Sequence, residues 1–406
     1  MKVPRLLIAL GLGLALGSCA PHAKAPPRTI TCWVRWPVAA VEPLARRFEH
    51  ENPGLAVQLV GMPWTSGGDS LDAALAANAA PDLAQLHDVE VVPLLGRGQL
   101  TDWSAGVADL RSGLRGWDLC MEGDAIVALP WLLRTQVLFC DDALFARAKV
   151  ASPTGPTTWA EWQAAAQAIE RLGHGVHGVG FACDDSGAAV RGVMPFLWAN
   201  GGALANATRD TSQLDSPANR EALAFVETLR SSSLVAPQDA LERAFLEGRL
   251  GMLLAGSTFE RRLAAARPAR PHRLVCVPAP TRGTSASWLG GEVLASFTGS
   301  RHKEDALKFA RFLVRPDNVH AIATALVEVQ PATLGADTTA WYRARPEQTI
   351  MFRQFETAHA LPVHGQWPGM ERVLARAFAD VLTHRRPAAR ALTDADTMFA
   401  ALLRRR

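Results

Sequence analysis

The sequence predicts an α/β protein whose chain is divided between two lobes. Near the amino terminus, short apolar runs alternate with amphipathic helical patterns in the order β-α-β-α-β. This alternation favours a parallel sheet covered by helices. The chain has 406 residues, which is more than one hydrophobic core commonly holds, so we expect two lobes.

The first elements follow this pattern most regularly. Thr29 to Val34 alternates as a strand, Val38 to His50 forms an amphipathic helix, and Ala56 to Val60 is the next strand. A helix from Ser70 to Asn78 then leads to the third strand, LAQL from Leu83. Parallel sheets bind ligands at the carboxyl ends of their strands. Those ends carry Arg35, Trp36, Trp64, Gln85, His87 and Asp88.

Further strands and helices follow in the middle of the chain. Asp124 to Cys140 contains two strand patterns on either side of Trp131 to Arg134. Met194 to Asn206 predicts a helix that ends at a glycine pair, with Trp198 in its last turn. Ser287 to Ser296, which includes Trp288 and Glu292, predicts another strand, and a helix follows it.

Two short motifs bear on local structure. Thr158, with Glu161 three residues later, is typical of a capped helix start. Gly173 to Gly178 matches G-x-G-x-x-G, but it precedes a strand instead of following one, so it does not predict a dinucleotide site. His174 and His177 in the same segment have no carboxylate or cysteine at ligand spacing, and no metal site is predicted.

The run Leu250 to Leu254 predicts a buried strand that ends abruptly at Gly256-Ser257-Thr258-Phe259. A glycine permits close backbone approach, and hydroxyl groups can pair with those of a ligand. We therefore expect Ser257, Thr258 and Phe259 to face a binding cleft. The alternative is a helix cap, because Glu260 lies three residues after Ser257.

The amino terminus has the form of a bacterial lipoprotein signal. Basic residues precede the apolar run Leu6 to Leu16, which is too short to span a bilayer. The stretch LGSC resembles a lipobox, so residues 1–18 are expected to be removed and Cys19 acylated. Residues 19–28 then form a flexible tether. No later stretch reaches the length and hydrophobicity of a transmembrane helix.

Composition narrows the function. Basic and acidic residues number 42 and 39, with a net charge of +3, which gives no indication of nucleic-acid binding. Twelve tryptophans accompany one tyrosine, and indole rings stack on the apolar faces of sugars. Five cysteines remain after Cys19, an odd number without CxxC spacing. At least one thiol is therefore free, and the disulfide pairing is left open.

Seven stretches in order resemble the extracellular solute-binding proteins of sugar-importing ABC transporters, the maltose-binding-protein-like group. These stretches are NAAPDLAQL, IVALPWLLRTQVLFCDDALF, PTTWAEWQAAAQAI, LWANGGAL, EGRLGMLLAGSTF, WLGGEVLAS and HKEDALKFARFLVRPDN. The resemblance implies a two-lobed periplasmic-binding-protein-like fold (type II) with the ligand cleft between the lobes. It places residues 29–131 and 288–331 in lobe 1, and residues 132–287 and 332–406 in lobe 2, with chain crossings near 131–134, 282–287 and 331–335.

The resemblance also implies a function: a monomeric, lipid-anchored protein that captures a sugar or oligosaccharide and delivers it to a membrane permease, without catalysis or cofactor. The implied ligand-binding residues are Arg35, Trp36, Trp64, Gln85, Asp88, Trp131, Arg134, Trp198, Ser257, Thr258, Phe259, Trp288, Glu292 and Trp367. Among these, the tryptophans at 131, 198 and 367 are expected to line one cleft.

Arg134 stands where some family members carry a carboxylate. An arginine there suits an anionic ligand such as a sugar phosphate or an acidic sugar, and its alternative role is an ion pair that braces the hinge. A hydrolase would need paired carboxylates, for which Asp88 and Glu292 are the candidates. An adhesive or scaffold lipoprotein would need no enclosed aromatic cleft. The sequence names neither the sugar nor the membrane that holds the lipid.

Overall fold

The structure is a computed structural model that describes residues 26–63, 67–95, 97–152, 154–183, 187–208, 210–266, 270–326, 329–361 and 364–405. The expected signal segment, Cys19 and Trp64 lie outside the described residues.

Strands and helices alternate along most of the described chain. The strands are β1 (Arg28–Val34), β2 (Leu55–Gly61), β3 (Leu83–His87), β4 (Met121–Glu122), β5 (Ala125–Ile126), β6 (Leu129–Thr135), β7 (Val137–Asp141), β8 (His177–Ala182), β9 (Ser233–Ala236), β10 (Leu250–Ala255), β11 (His272–Val275), β12 (Ser287–Ala295), β13 (Gln330–Pro331) and β14 (Ala358–Ala360). The helices are α1 (Val38–Glu51), α2 (Gly67–Ala76), α3 (Asp88–Val91), α4 (Asp142–Arg147), α5 (Trp159–Glu170), α6 (Ala188–Ala199), α7 (Pro217–Leu229), α8 (Gln238–Leu246), α9 (Ser257–Ala265), α10 (Lys303–Leu313), α11 (Pro316–Leu326), α12 (Ala340–Arg343), α13 (Pro346–Phe355), α14 (Trp367–Leu382) and α15 (Ala388–Leu403).

The first sheet has the strand order β13-β6-β12-β3-β1-β2, with β14 paired to β12. β1 pairs in parallel with β2 and β3, as the alternating pattern predicts. β12 runs antiparallel to both β3 and β6, so the complete sheet is mixed. Its core includes Phe48 of α1 and Phe309 of α10, whose ring centroids lie 4.8 Å apart.

The second sheet has the order β11-β7-β10-β8-β9 and is covered on both faces. Every residue of β10 is buried, which explains its continuous apolar run. One face packs on α5, α6, α7, α14 and α15. The other face packs on α8 and α9, where Phe245 and Phe259 pack against Phe139 of β7. The capping motif predicted at the start of α5 is present, since Thr158 and Glu161 each accept a hydrogen bond from the other's backbone N–H.

The chain passes between the sheets where strands of one sheet continue into the other. β6 of the first sheet ends at Thr135 and β7 of the second begins at Val137, so the chain passes between the sheets at Gln136, next to the predicted segment 131–134. The return lies between β11 and β12. The third crossing is predicted near 331–335. Beyond it, Met351 of α13 belongs to the core that contains Phe139 of the second sheet, while β14 pairs with β12 of the first. The assignment of residues to lobes stays a prediction.

Candidate functional site

Gln85 of β3 holds the end of β1. Its side-chain oxygen accepts hydrogen bonds from the backbone N–H groups of Arg35 (2.9 Å) and Trp36 (3.2 Å). The Arg35 guanidinium donates to the Pro63 carbonyl (2.8 Å) and to the Glu90 carboxylate. Gln85, Arg35 and Trp36 are all buried. These contacts fix the two strand ends, and the polar atoms that make them are engaged by the protein itself.

Asp88 begins the short helix α3 directly after β3, and it is only 8% exposed. Its carboxylate lies against the His87 imidazole. Burial raises the pKa of Asp88, but His87, followed by Arg134 and Arg191, lowers it by more, so that the pKa lies below its ordinary value. Asp88 is therefore ionised at neutral pH and lies close to two arginines.

Arg134 of β6 forms an ion pair with Glu292 of β12. The Glu292 side chain is fully buried, while that of Arg134 is 24% exposed. The two residues are diagonal neighbours, because Arg134 is paired in register with Gly290 and Glu292 lies two positions further along β12. The Arg134 guanidinium carbon is also 5.9 Å from the Trp36 ring centroid. This arrangement matches the predicted bracing role of Arg134.

Two charged residues from helices beside the second sheet complete the site. The guanidinium carbon of Arg191, on α6, lies 5.3 Å from the ring centroid of Trp288 on β12. Burial raises the pKa of Glu371, on α14; Arg191 opposes the shift and Asp88 adds to it. A Cβ at Gly187 would meet Glu371 Oε1 and Arg191 Nη1, so the ends of both side chains lie beside this glycine.

The sequence analysis identified neither Arg191 nor Glu371 as a site residue. Arg191 had a signal that could have found it, because it is the one charged residue in the otherwise apolar segment AAVRGVMPFLWA. Glu371 had none, since α14 carries charges along its exposed side as any surface helix does. We refer to Asp88, Arg134, Arg191, Glu292 and Glu371 as the charged cluster.

The residues of the charged cluster come from the first sheet and from helices that pack beside the second sheet. Its carboxyl groups outnumber its guanidinium groups by three to two, so it has no excess positive charge while all its carboxyl groups are ionised. The indole rings of Trp36 and Trp288 lie beside the two arginines. Buried charges, hydrogen-bonding atoms and aromatic surface therefore meet in one place, which is the composition of a site for a polar small molecule.

The end of β10 only partly meets expectation. Gly256 lies close to the end of β6, where the chain leaves the first sheet, since a Cβ at Gly256 would be 3.0 Å from the Thr135 carbonyl oxygen. Ser257 is buried at the start of α9 and Thr258 is exposed. Phe259 is 1% exposed and packs on Phe139 at 5.2 Å, so its ring belongs to the core and offers no ligand surface. The alternative side-chain cap of α9 is also not formed, because the cap position is Gly256.

The structure does not form the predicted wall of three tryptophans. Trp131 is fully buried in the core of the first sheet, and Trp367 is 3% exposed in the core of the second. Trp198 alone reaches open space, where its ring stacks on His359. Either face of a strand or helix can carry an indole ring. The position of a tryptophan in the sequence therefore does not show whether its ring packs into the core or faces a cleft.

A cavity of about 520 Å³ lies beside Trp198 and not at the charged cluster. Of the predicted ligand-binding residues it contains Trp198 alone. We place the candidate site at the charged cluster because Asp88 follows the carboxyl end of β3 and Trp36, which follows that of β1, lies beside Arg134. Ligands of such sheets bind at these strand ends.

Other chemistries find little basis in the described residues. In this part of the chain, no three or more His, Cys, Asp or Glu side chains are grouped to hold a metal ion. Cys32, Cys120, Cys140 and Cys276 are free thiols. No helix in the described ranges has the length and hydrophobicity to cross a membrane.

The sequence profile of the bacterial extracellular solute-binding proteins matches residues 43–350. The chain belongs to this family. Solute-binding proteins of this family bind their substrates and are not enzymes as a class. A relative from Streptomyces antibioticus, described as an uncharacterised lipoprotein in the oleD 5′ region, is 26% identical over 402 residues, covering 92% of this chain and 87% of its own.

Solved structures show that this solute-binding protein has the two-lobed periplasmic-binding-protein fold. The cyclic α-maltosyl-1,6-maltose binding protein of Arthrobacter globiformis is 24% identical with a TM-score of 0.85, covering 93% of this chain and 99% of that one. The sugar-binding protein MalE of Xanthomonas citri is 20% identical with a TM-score of 0.81, covering 92% and 97%.

Proposed function

We propose that this protein captures a neutral sugar or oligosaccharide at the charged cluster and delivers it to the permease of an ABC importer. The observation that carries the proposal is the meeting of Asp88, Arg191 and Glu371 with the indole rings of Trp36 and Trp288. Carboxylates accept hydrogen bonds from sugar hydroxyls, guanidinium groups donate to them, and indole rings pack on the sugar's C–H faces.

The geometry favours a neutral ligand over the anionic alternative. Arg134, the residue that suggested a sugar phosphate or an acidic sugar, is already paired with the buried Glu292. Arg191 is offset by Asp88 and Glu371, which interact with it from two sides. A phosphate or carboxylate entering this site would meet the carboxyl groups of Asp88 and Glu371 against the guanidinium of Arg191, and like charges in a partly buried site repel.

We extend the proposal to the protein's location and partners. Export through the signal segment 1–18, acylation at Cys19 and a monomeric, membrane-tethered state fit the lipobox and the lipoprotein relative. Closure of the lobes around the sugar is the change that the permease would recognise. The protein's part is binding and release, with no bond made or broken and no cofactor.

Thermal shift with a panel of sugars tests the function. The probes are maltose, tagatose and cyclic α-maltosyl-1,6-maltose, with glucose 6-phosphate and glucuronate as anionic counterparts. A ligand present at 100 times its Kd stabilises the native state by about 2.7 kcal/mol, so at least one neutral sugar should raise the Tm. A shift with the anionic probes alone would refute the neutral-sugar proposal.

The matched control is a pair of conservative variants. Arg191→Lys keeps the charge of α6 but loses the planar donor geometry, and it should reduce the Tm shift caused by the sugar. Arg171→Lys makes the same change at the end of α5, away from the site, and should leave the shift as in the wild type. Equal shifts in both variants would remove Arg191 from the site.

A further inference from the structure

The two passages of the chain between the sheets are bonded to each other. The Thr135 hydroxyl donates a hydrogen bond to the Trp288 carbonyl (2.7 Å), and the Gln136 carbonyl accepts one from the Ser287 hydroxyl (2.7 Å). Thr135 and Ser287 are both buried. Because each hydroxyl reaches the neighbouring passage, a change of angle at one passage must be shared by the other.

Helix α13 packs against both sheets beside these passages. Met351 belongs to the core that contains Phe139 of β7, whereas Phe352 and Phe355 belong to the core of the first sheet. The helix contacts β6 and β12 of the first sheet and β7 and β11 of the second. A rotation of one sheet relative to the other must therefore change the packing of α13 on at least one of them.

The side chain of Gln354 connects α13 to the return passage, residues 276–286, and it is fully buried. Its oxygen accepts a hydrogen bond from the Val277 N–H (2.7 Å), and its nitrogen donates to the hydroxyls of Ser285 (3.2 Å) and Thr357 (3.0 Å). Val277 and Ser285 lie near the two ends of the return passage. Leaving a buried amide without its partners is costly, so these bonds favour the arrangement of the two sheets in which all of them are made.

In that arrangement, residues from the two sides of the molecule meet at the charged cluster. The guanidinium carbon of Arg191, on α6 beside the second sheet, lies 5.3 Å from the ring centroid of Trp288 on β12 of the first sheet. The charge of Arg191 also interacts with Asp88, which follows β3. The hydrogen bonds of Gln354 therefore coexist with a charged cluster whose two sides are in contact.

We propose that Gln354 is a positioning residue for closure of the protein around its sugar. Its hydrogen bonds stabilise the closed arrangement and are lost when the return passage bends as the two sheets move apart. Bonds made only in the closed form raise the fraction of protein that is competent to hold the sugar, and so raise the affinity without touching the sugar. The inference rests on the proposed function and identifies a residue outside the charged cluster that sets the affinity there.

Small-angle X-ray scattering of the ligand-free proteins and calorimetric titration with maltose test this role. Gln354→Met keeps the approximate volume of the side chain but loses its hydrogen bonds, and it should raise the Kd for maltose about fivefold, the effect of one good hydrogen bond. The ligand-free variant should have a larger radius of gyration than the wild type, and saturating maltose should remove the difference. Ser285→Ala, which removes one partner at a half-buried position, should raise the Kd by a smaller factor, about twofold.

Gln348→Met is the matched control. Gln348 is also a buried glutamine of α13, but its oxygen accepts a hydrogen bond from Gln330 of β13 (2.8 Å), which joins α13 to the first sheet and not to the return passage. This variant should lose a similar amount of stability in urea denaturation, with the Kd and the radius of gyration of the wild type.

An unchanged radius of gyration in ligand-free Gln354→Met, or equal effects of Gln348→Met on scattering and affinity, would overturn the proposal. If maltose and the other neutral sugars bind to none of these proteins, the proposed function fails. The scattering of the two ligand-free glutamine variants still decides, in that case, whether Gln354 holds the closed arrangement.

Discussion

Removing one partner of the Arg134–Glu292 ion pair should destabilise the protein more than any comparable surface change. Glu292 is fully buried, and Arg134 keeps 24% of its side chain exposed. Breaking a buried ion pair costs about 3–5 kcal/mol because the remaining charge is left uncompensated. Arg134→Met strands the fully buried carboxylate, so we expect a loss of about 4 kcal/mol in the free energy of unfolding.

The partner variant should cost less. In Glu292→Gln the remaining charge is the guanidinium, which can turn its exposed part further toward water, so we expect a loss of about 2 kcal/mol, near the cost of an unsatisfied buried group. The double variant Arg134→Met/Glu292→Gln leaves no buried charge. Its loss should therefore fall about 2 kcal/mol short of the sum of the two single losses, a coupling typical of residues in contact.

Urea denaturation followed by tryptophan fluorescence measures all four proteins. Arg249→Met, at an ion pair whose partners are 48% and 54% exposed, is the control and should cost less than about 1 kcal/mol. Additive single losses, or a larger loss in Glu292→Gln than in Arg134→Met, would refute the account of which charge is stranded.

Three further predictions test other parts of the account. Cys19→Ser should move the protein from the membrane fraction to the soluble exported fraction, as measured by fractionation and immunoblotting; unchanged sedimentation with membranes would contradict the lipid anchor. Phe259→Ala should cost about 3–5 kcal/mol of stability and leave sugar affinity unchanged. The exposed control Thr258→Ala should change stability by less than about 0.5 kcal/mol. Loss of affinity in a stably folded Phe259→Ala protein would contradict the assignment of Phe259 to the core. Burial in the folded protein raises the pKa of Glu371 above its ordinary value of 4.5, so the native state binds more protons than the unfolded state and loses stability as the pH rises through the pKa of the folded state. Glu371→Gln should therefore lose less stability than the wild type between acidic and neutral pH. Parallel pH profiles of the two proteins in denaturation experiments would contradict this.

Most of the fold follows from local pattern. Thr29 to Val34, Val38 to His50 and the strand after Pro81 are observed within a few residues of their predicted bounds, because each has a clear period and an end signal. The strands around 131–134 were harder to place. A continuous apolar run does not show where one strand ends, and the sheet change at Gln136 has no glycine or proline to mark it.

The site was predicted less completely, for physical reasons that concern distant contacts. Arg35, Trp36, Gln85 and Asp88 follow from the rule that strand ends meet at one edge. Whether an aromatic residue at such an end points to solvent or to the core depends on what packs on it. Phe259 meets two other phenylalanines from separate elements, which no local pattern reveals.

The central claim is that a sugar binds between the lobes at the charged cluster. A crystal structure of the protein with whichever panel sugar gives the largest thermal shift tests this most directly. The account predicts one sugar ring between the lobes, within hydrogen-bonding distance of Asp88 and of Arg191 or Glu371, with Trp36 or Trp288 against its apolar face. Sugar density elsewhere, with the charged cluster in contact only with water, would contradict it.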